Sequence, residues 1–197
     1  MFRRRLLPRR RRRILERAPL RQQPPAVPGA LIRANQMAAH GNHAGAAWMY
    51  AILADGARER GMPVRAAHLD LQSSRAFLAA GEVSPARSRA LSGLLALVSA
   101  GRSVQAARQL GRMDNDFRDH GHALEADQIQ VEVSRALAGR PSAPEGSVGD
   151  DASAVVDRGQ LPTRCPGCGA RLLADEIEWR DATTATCVYC GSAIRAE

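Results

Sequence analysis

The sequence predicts a mainly α protein: a stack of about six antiparallel helices built as helical hairpins, followed by a small β module held together by four cysteines. Three observations carry this. Glycines recur every 20 residues from Gly41 to Gly121, an alanine follows each of them at the fifth position, and two Cys-x-x-Cys pairs lie near the end of the 197-residue chain. Apolar residues at 45% and charged residues at 24% indicate a globular chain with a core. The longest nearly apolar runs, such as 93–100, fall far short of the ~20 residues that span a bilayer.

Residues 1–29 read as a disordered polybasic arm and a Pro-rich spacer. The formal charge of +8 suggests nucleic acid until it is located along the chain. Residues 1–21 hold ten Arg and one acid, Glu16, a net of +9, while the other 18 Arg face 19 acids. The basicity therefore belongs to the arm and the body is close to neutral. After the Arg run, Ile14 to Leu20 is broken by Glu16, Arg17 and Pro19. It has no apolar core of the kind a secretory or twin-arginine export signal needs, and a cytoplasmic location is expected. Gln22 to Gly29 cannot continue a helix because of its prolines.

Residues 30–139 form the repeat. Gly41, Gly61, Gly81, Gly101 and Gly121 are followed by Ala46, Ala66, Ala86, Ala106 and Ala126. A glycine supplies the left-handed backbone that ends a helix, and an alanine in the first turns of the next helix lets neighbours approach closely. Each unit is then one helix of roughly 15 to 17 residues, about 24 Å long at ~1.5 Å per residue, plus a tight turn. Val64, Ala67, Leu71, Ser74 and Leu78 follow a helical stripe, as do Ala90, Leu94, Leu97 and Val98. Ser84, with Pro85 after it, and Ser103 are expected to cap helix N-termini. Ile129, Val131 and Val133 alternate like a strand, yet the register continues and Ala126, Val133 and Leu137 share a helical face, so a helix is expected there too.

The pattern Gly-x-x-x-x-Ala, as in Gly41 to Ala46 and Gly101 to Ala106, resembles the turn between the two helices of a tetratricopeptide repeat. It covers about 110 residues. The helix-pair period here is 40 against about 34 in that family, and the family's Trp, Tyr and terminal Pro positions are not regularly filled. The resemblance implies a stack of six antiparallel helices, three hairpins, with no particular ligand; an Ala-rich helical bundle with coincidental glycines is the alternative.

Residues 140–164, rich in Pro, Gly, Ser and Asp, read as a flexible linker, and residues 165–197 as a separate module. In it, Cys165-Pro-Gly-Cys168-Gly169 and Cys187-Val-Tyr-Cys190-Gly191 are separated by 18 residues, a spacing suited to a zinc site. Cys-x-x-Cys followed by Gly forms a knuckle with both sulfurs on one side, and two knuckles close a tetrahedral S₄ site with Zn–S near ~2.3 Å. With every position filled by protein, the metal, one zinc per chain, is structural. It also stabilises a module that lies below the ~40 residues at which burial alone suffices. Disulfides and a rubredoxin-like iron site are the alternatives. Leu172, Leu173, Ile177 and Trp179 are the expected apolar cover, Thr183, Thr184 and Thr186 suit a returning strand, and Asp175, Glu176 and Glu178 are expected as hairpin polar residues. The module is similar to the zinc-ribbon family in its CPGCG, DEIEW and CVYCG stretches.

Other constellations read as structural. His40, His43, His120 and His122 flank turn glycines without a carboxylate at ligand spacing. Asp114, Asp116 and Asp119 with Arg112 and Arg118 suit a solvated helix face, and Trp48, Tyr50 and Phe77 suit the core. No phosphate-binding loop, zinc-protease motif or nucleophile elbow occurs, so neither an enzyme nor a small-molecule substrate is expected. Two functions remain. The first is a non-enzymatic zinc-binding adaptor that engages a protein partner through its helical repeat. The second is a nucleic-acid-associated protein whose arm binds phosphates. Non-specific nucleic acid and an anionic membrane surface are the partners that residues 1–21 allow. From Cys165 onward three Arg face five acids, which argues against a phosphate-gripping module.

Overall fold

The structure, a computed structural model, describes residues 27–139, 160–173 and 177–196. The arm at residues 1–21 and most of the linker lie outside the described residues. Six helices pack against one another: α1 (Val27–Ala39), α2 (His43–Glu59), α3 (Pro63–Ala79), α4 (Val83–Ser99), α5 (Ser103–Asp119) and α6 (Ala123–Ala138). Beyond them a three-stranded antiparallel sheet runs in the order β1 (Glu178–Trp179), β2 (Thr184–Thr186), β3 (Ala193–Arg195). Thr186 pairs with Glu178 on one side and with Ala193 on the other.

The 20-residue unit is a helix plus a three-residue turn. All five turn glycines have φ between 70° and 83°, the left-handed region that residues with a Cβ enter only with strain. The residue after each glycine donates to the carbonyl five residues back, as from Met62 to Ala57 at 3.0 Å and from Glu82 to Phe77 at 2.9 Å, which closes the helix end. The next helix starts two residues after the glycine, and its alanine carries the first full helical bond, as from Ala106 to Arg102 at 2.8 Å. Ala46, Ala66, Ala86, Ala106 and Ala126 are each no more than 1% exposed. All five lie in the core cluster.

Successive helices pack on each other, and α4 also meets α6. Ion pairs and hydrogen bonds fix two layers. In one, Arg75 of α3 pairs with Asp116 of α5 at 2.9 Å. In the other, Arg58 of α2 donates to Ser92 of α4 at 3.0 Å and Arg87 of α4 pairs with Glu132 of α6 at 2.9 Å. Odd-numbered helices thus form one face and even-numbered helices the other. The core is one continuous cluster in which Phe77, Leu94, Leu97, Met113, Phe117 and Ile129 are the large buried side chains. Asp70, fully buried, accepts from Arg58 (2.5 Å), Arg89 (2.9 Å) and Ser92 (3.0 Å), while Arg89 also reaches Asp55. Burial pushes the Asp70 carboxyl upward against the pull of the two guanidinium groups, whereas the Arg89 hydrogen bond holds the more exposed Asp55 down.

Several expectations change. Ser84 and Ser103 do not cap their helices. The helices start earlier than that reading requires, by two residues in α4 and one in α5, so the caps fall on Glu82 and Arg102, neither with a side-chain capping bond. Asn42, in contrast, caps α2 by accepting from the Gly45 amide at 3.0 Å. α1 opens at Val27, inside the proline-bearing stretch, since Pro28 falls in the first turn, where no amide partner is needed. Trp48 is 57% exposed and lies edge-on against buried Phe77, while Tyr50 is in the core as expected. The strand-like alternation at 129–133 is helix: Ile129 and Val133 face inward and Val131 faces out. Asp116 leaves the solvated face to pair across to α3, while Arg118 spans Asp114 and Asp127.

Candidate metal centre

Each Cys-x-x-Cys-Gly segment folds as a knuckle for the same local reason. The glycine after the second cysteine takes φ 73° (Gly169) or 78° (Gly191), which turns the chain sharply enough for its amide to bond back to the first cysteine. Gly169 donates to the Cys165 carbonyl and Gly191 to the Cys187 carbonyl, both at 2.8 Å. The first cysteine amides donate forward, Cys165 to Ala170 at 2.8 Å and Cys187 to Ser192 at 2.9 Å. β2 and β3 carry the second knuckle. The first is braced by the pairing of Arg164 with Arg171 and by the Leu172 amide on Thr163. Asp181 closes the hairpin ahead of β2, accepting from the Thr183 and Thr184 amides at 2.9 and 2.7 Å.

The two knuckles face each other. The Sγ atoms of Cys165, Cys168, Cys187 and Cys190 all lie within 4.8 Å of one another, with 3.6 Å between Cys165 and Cys190 and 3.8 Å between Cys168 and Cys187. A disulfide needs about 2.05 Å, and all four thiols are free. A tetrahedron with metal–sulfur bonds of ~2.3 Å has an edge of about 3.8 Å. The cluster therefore has the size and ligand chemistry to hold one metal ion. Among the described residues no other group of three or more metal-ligating side chains converges. His40 and His120 are exposed at their turns, and the His120 ring lies 2.7 Å from the Asp116 carbonyl.

Electrostatics point the same way. Burial pushes the Cys165 thiol up. Between Cys168 and Cys187 the proton goes to Cys168, which the hydrogen bond to Cys187 and burial hold far above the ordinary range. Accepting that bond draws Cys187 down to about 5. Four thiolates this close repel one another too strongly to ionise together. A cation that replaces the protons removes the conflict.

The apolar cover differs from expectation. Ala170, Ala185, Tyr189 and Ile194 are buried, whereas Leu172, Leu173, Ile177 and Trp179 are half-buried. Leu172 and Ile177 do pack against the buried cluster that contains Cys165, Cys168 and Cys187. Thr184 and Thr186 lie in β2 while Thr183 lies in its preceding turn. Asp175, Glu176 and the Glu178 side chain fall outside the described residues.

Residues of the helical stack, which carried no motif, also approach the centre. Asn35 of α1 donates to the Cys168 carbonyl at 2.7 Å and accepts from the Tyr50 hydroxyl at 2.6 Å. Burial above all raises Tyr50 to about 12, so it stays a donor. Gln72 of α3 donates to the Tyr189 hydroxyl at 2.9 Å, and the Tyr189 ring meets His68 edge-on at 5.9 Å. Only Tyr189, lying between two ligand cysteines, offered a sequence signal. Compared with known proteins, the chain matches no family model, no curated protein and no solved structure.

Proposed function

We propose that the chain is a non-enzymatic, zinc-binding adaptor: a tetratricopeptide-like helical stack with a zinc-ribbon module, working in the cytoplasm on a protein partner. The observation that carries the metal half is the sulfur cluster, whose 3.6 and 3.8 Å spacings suit the about 3.8 Å edge of a ZnS₄ tetrahedron. Four protein ligands leave no position for water or substrate, so the zinc holds structure and performs no reaction. The adaptor half is supported by the two-layered repeat, an architecture whose extended faces suit protein partners. The partner itself is argued from architecture alone. No helix among the described residues is long and apolar enough to cross a membrane.

Metal analysis of the purified full chain tests the first half. The expected result is about one zinc per chain, lost with Cys168→Ser or Cys187→Ser while the helical circular-dichroism signal stays. Stoichiometric iron instead would make the module an electron carrier, and no metal at all would remove the reading. The charge of residues 1–21, +9 by sequence, favours a second reading in which the arm binds phosphates. Binding to duplex DNA should then weaken by about 0.9 in log K per phosphate contact for each decade of salt. A chain that begins at Ala30 should lose this binding and keep its zinc. Tight, sequence-selective binding by that shorter chain would replace the adaptor reading with nucleic-acid recognition.

A further inference from the structure

The cysteine module is seated on the odd-numbered face of the stack, the surface formed by α1, α3 and α5. Its anchors are two features of the knuckles themselves: the backbone carbonyl of Cys168 in the first, and the side chain of Tyr189 in the second. Tyr189 is 3% exposed and His68 beneath it 2% exposed, so the contact is a packed one. Cys165, Cys168, Cys187 and Tyr189 belong to the same continuous buried cluster as the helices. Both anchors exist only while the knuckles are folded, and a module of this size depends on its metal to stay folded.

We propose that the module is a metal-controlled latch on the helical stack: metal keeps Tyr189 and the Cys168 carbonyl seated on α3 and α1, and metal loss releases the module and uncovers that face. This rests on the metal reading above. The consequence falls first on α1. It is 13 residues long and packs on one helix, α2, and a helix of this length is marginal in water without tertiary support. Release also leaves the Asn35 and Gln72 amides without their acceptors on the module. The freed surface is therefore polar and apolar together, suited to a partner that repeats the hydrogen bonds of the module.

Hydrogen exchange of the zinc-loaded full chain, read by mass spectrometry before and after a zinc chelator, tests the latch. Chelation should speed exchange in α1 by about tenfold or more through easier local opening, and leave α6, at the other end of the stack, unchanged. Tyr189→Ala should produce the same rise with zinc still bound. If that variant loses its zinc, Asn35→Ala combined with Gln72→Ala makes the same test from the helical side. Equal protection of α1 with and without metal, in a chain that binds zinc, overturns the latch alone. A chain that takes up no metal overturns the metal reading and the latch together.

Discussion

Gly93 sits in the middle of α4 against Ala67 and Leu71 of α3, and replacing it by alanine sets two opposed effects against each other. Alanine is the better helix former by about 1 kcal/mol in a helix interior. Its Cβ, however, would stand 2.8 Å from the Ala67 carbonyl oxygen and 3.0 Å from Leu71 Cγ. A carbon beside a carbonyl oxygen normally keeps about 3.3 Å or more, so α3 and α4 would have to part by about half an ångström. Neither neighbour yields easily: one is helix backbone and the other a side chain 1% exposed. Overpacking of this kind costs about 1–3 kcal/mol, and with backbone involved the upper half of that range applies. Gly93→Ala should therefore destabilise by about 1–2 kcal/mol, or lower the melting temperature by about 3–6 °C for a chain of this size. Gly111, in α5, provides the contrast, since a Cβ there meets nothing within 4 Å. Gly111→Ala should stabilise by about 0.5–1 kcal/mol. Thermal unfolding followed by far-UV circular dichroism measures both. If Gly93→Ala melts as high as Gly111→Ala, the close approach of α3 and α4 is wrong.

Ala66→Leu and Ala106→Leu introduce larger groups at positions of 1% and 0% exposure and should each cost about 1–3 kcal/mol; urea midpoints unchanged from wild type would mean that the alanines face solvent. Asp55 is held below its ordinary 3.8 chiefly by the Arg89 hydrogen bond, so its stabilisation is present above that value and is lost as pH falls through the depressed pKa. The melting temperature of wild type should thus exceed that of Asp55→Asn at neutral pH, and the difference should close at strongly acidic pH. A gap that persists in acid would show that the Asp55 charge is not what stabilises.

The repeat was legible because turn chemistry leaves a mark on residue type. A left-handed backbone calls for glycine, and a small buried position at the start of each helix calls for alanine, so Gly101 and Ala106 announce their own environments. Another periodic position is apolar in all five units. Met37, Ala57, Phe77, Leu97 and Phe117, each four residues before a turn glycine, supply the carbonyls that close the helix ends. Apolar type alone does not mark burial, since Val104 and Leu124, each three residues after a turn glycine, are exposed. The knuckles were legible for the same reason as the turns. The seating of the module was not, because Asn35, Gln72 and His68 are ordinary polar residues whose role arises only when distant segments meet. The same is true of Asp70, a lone acid between two leucines whose partners come from α2 and α4.

Because the repeating unit is a single helix and not a pair, the stack has a parity. Successive helices run in opposite directions, so with six of them the chain enters α1 and leaves α6 at the same edge. The arm before α1 and the segment after α6 are therefore attached to one edge. Adding or removing one 20-residue unit would move the exit to the opposite edge and reverse which face the next helix joins. Adding or removing two would leave entry, exit and both faces as they are. Lengthened or shortened forms that keep the module on its seat should accordingly differ by whole 40-residue steps, in register with the turn glycines.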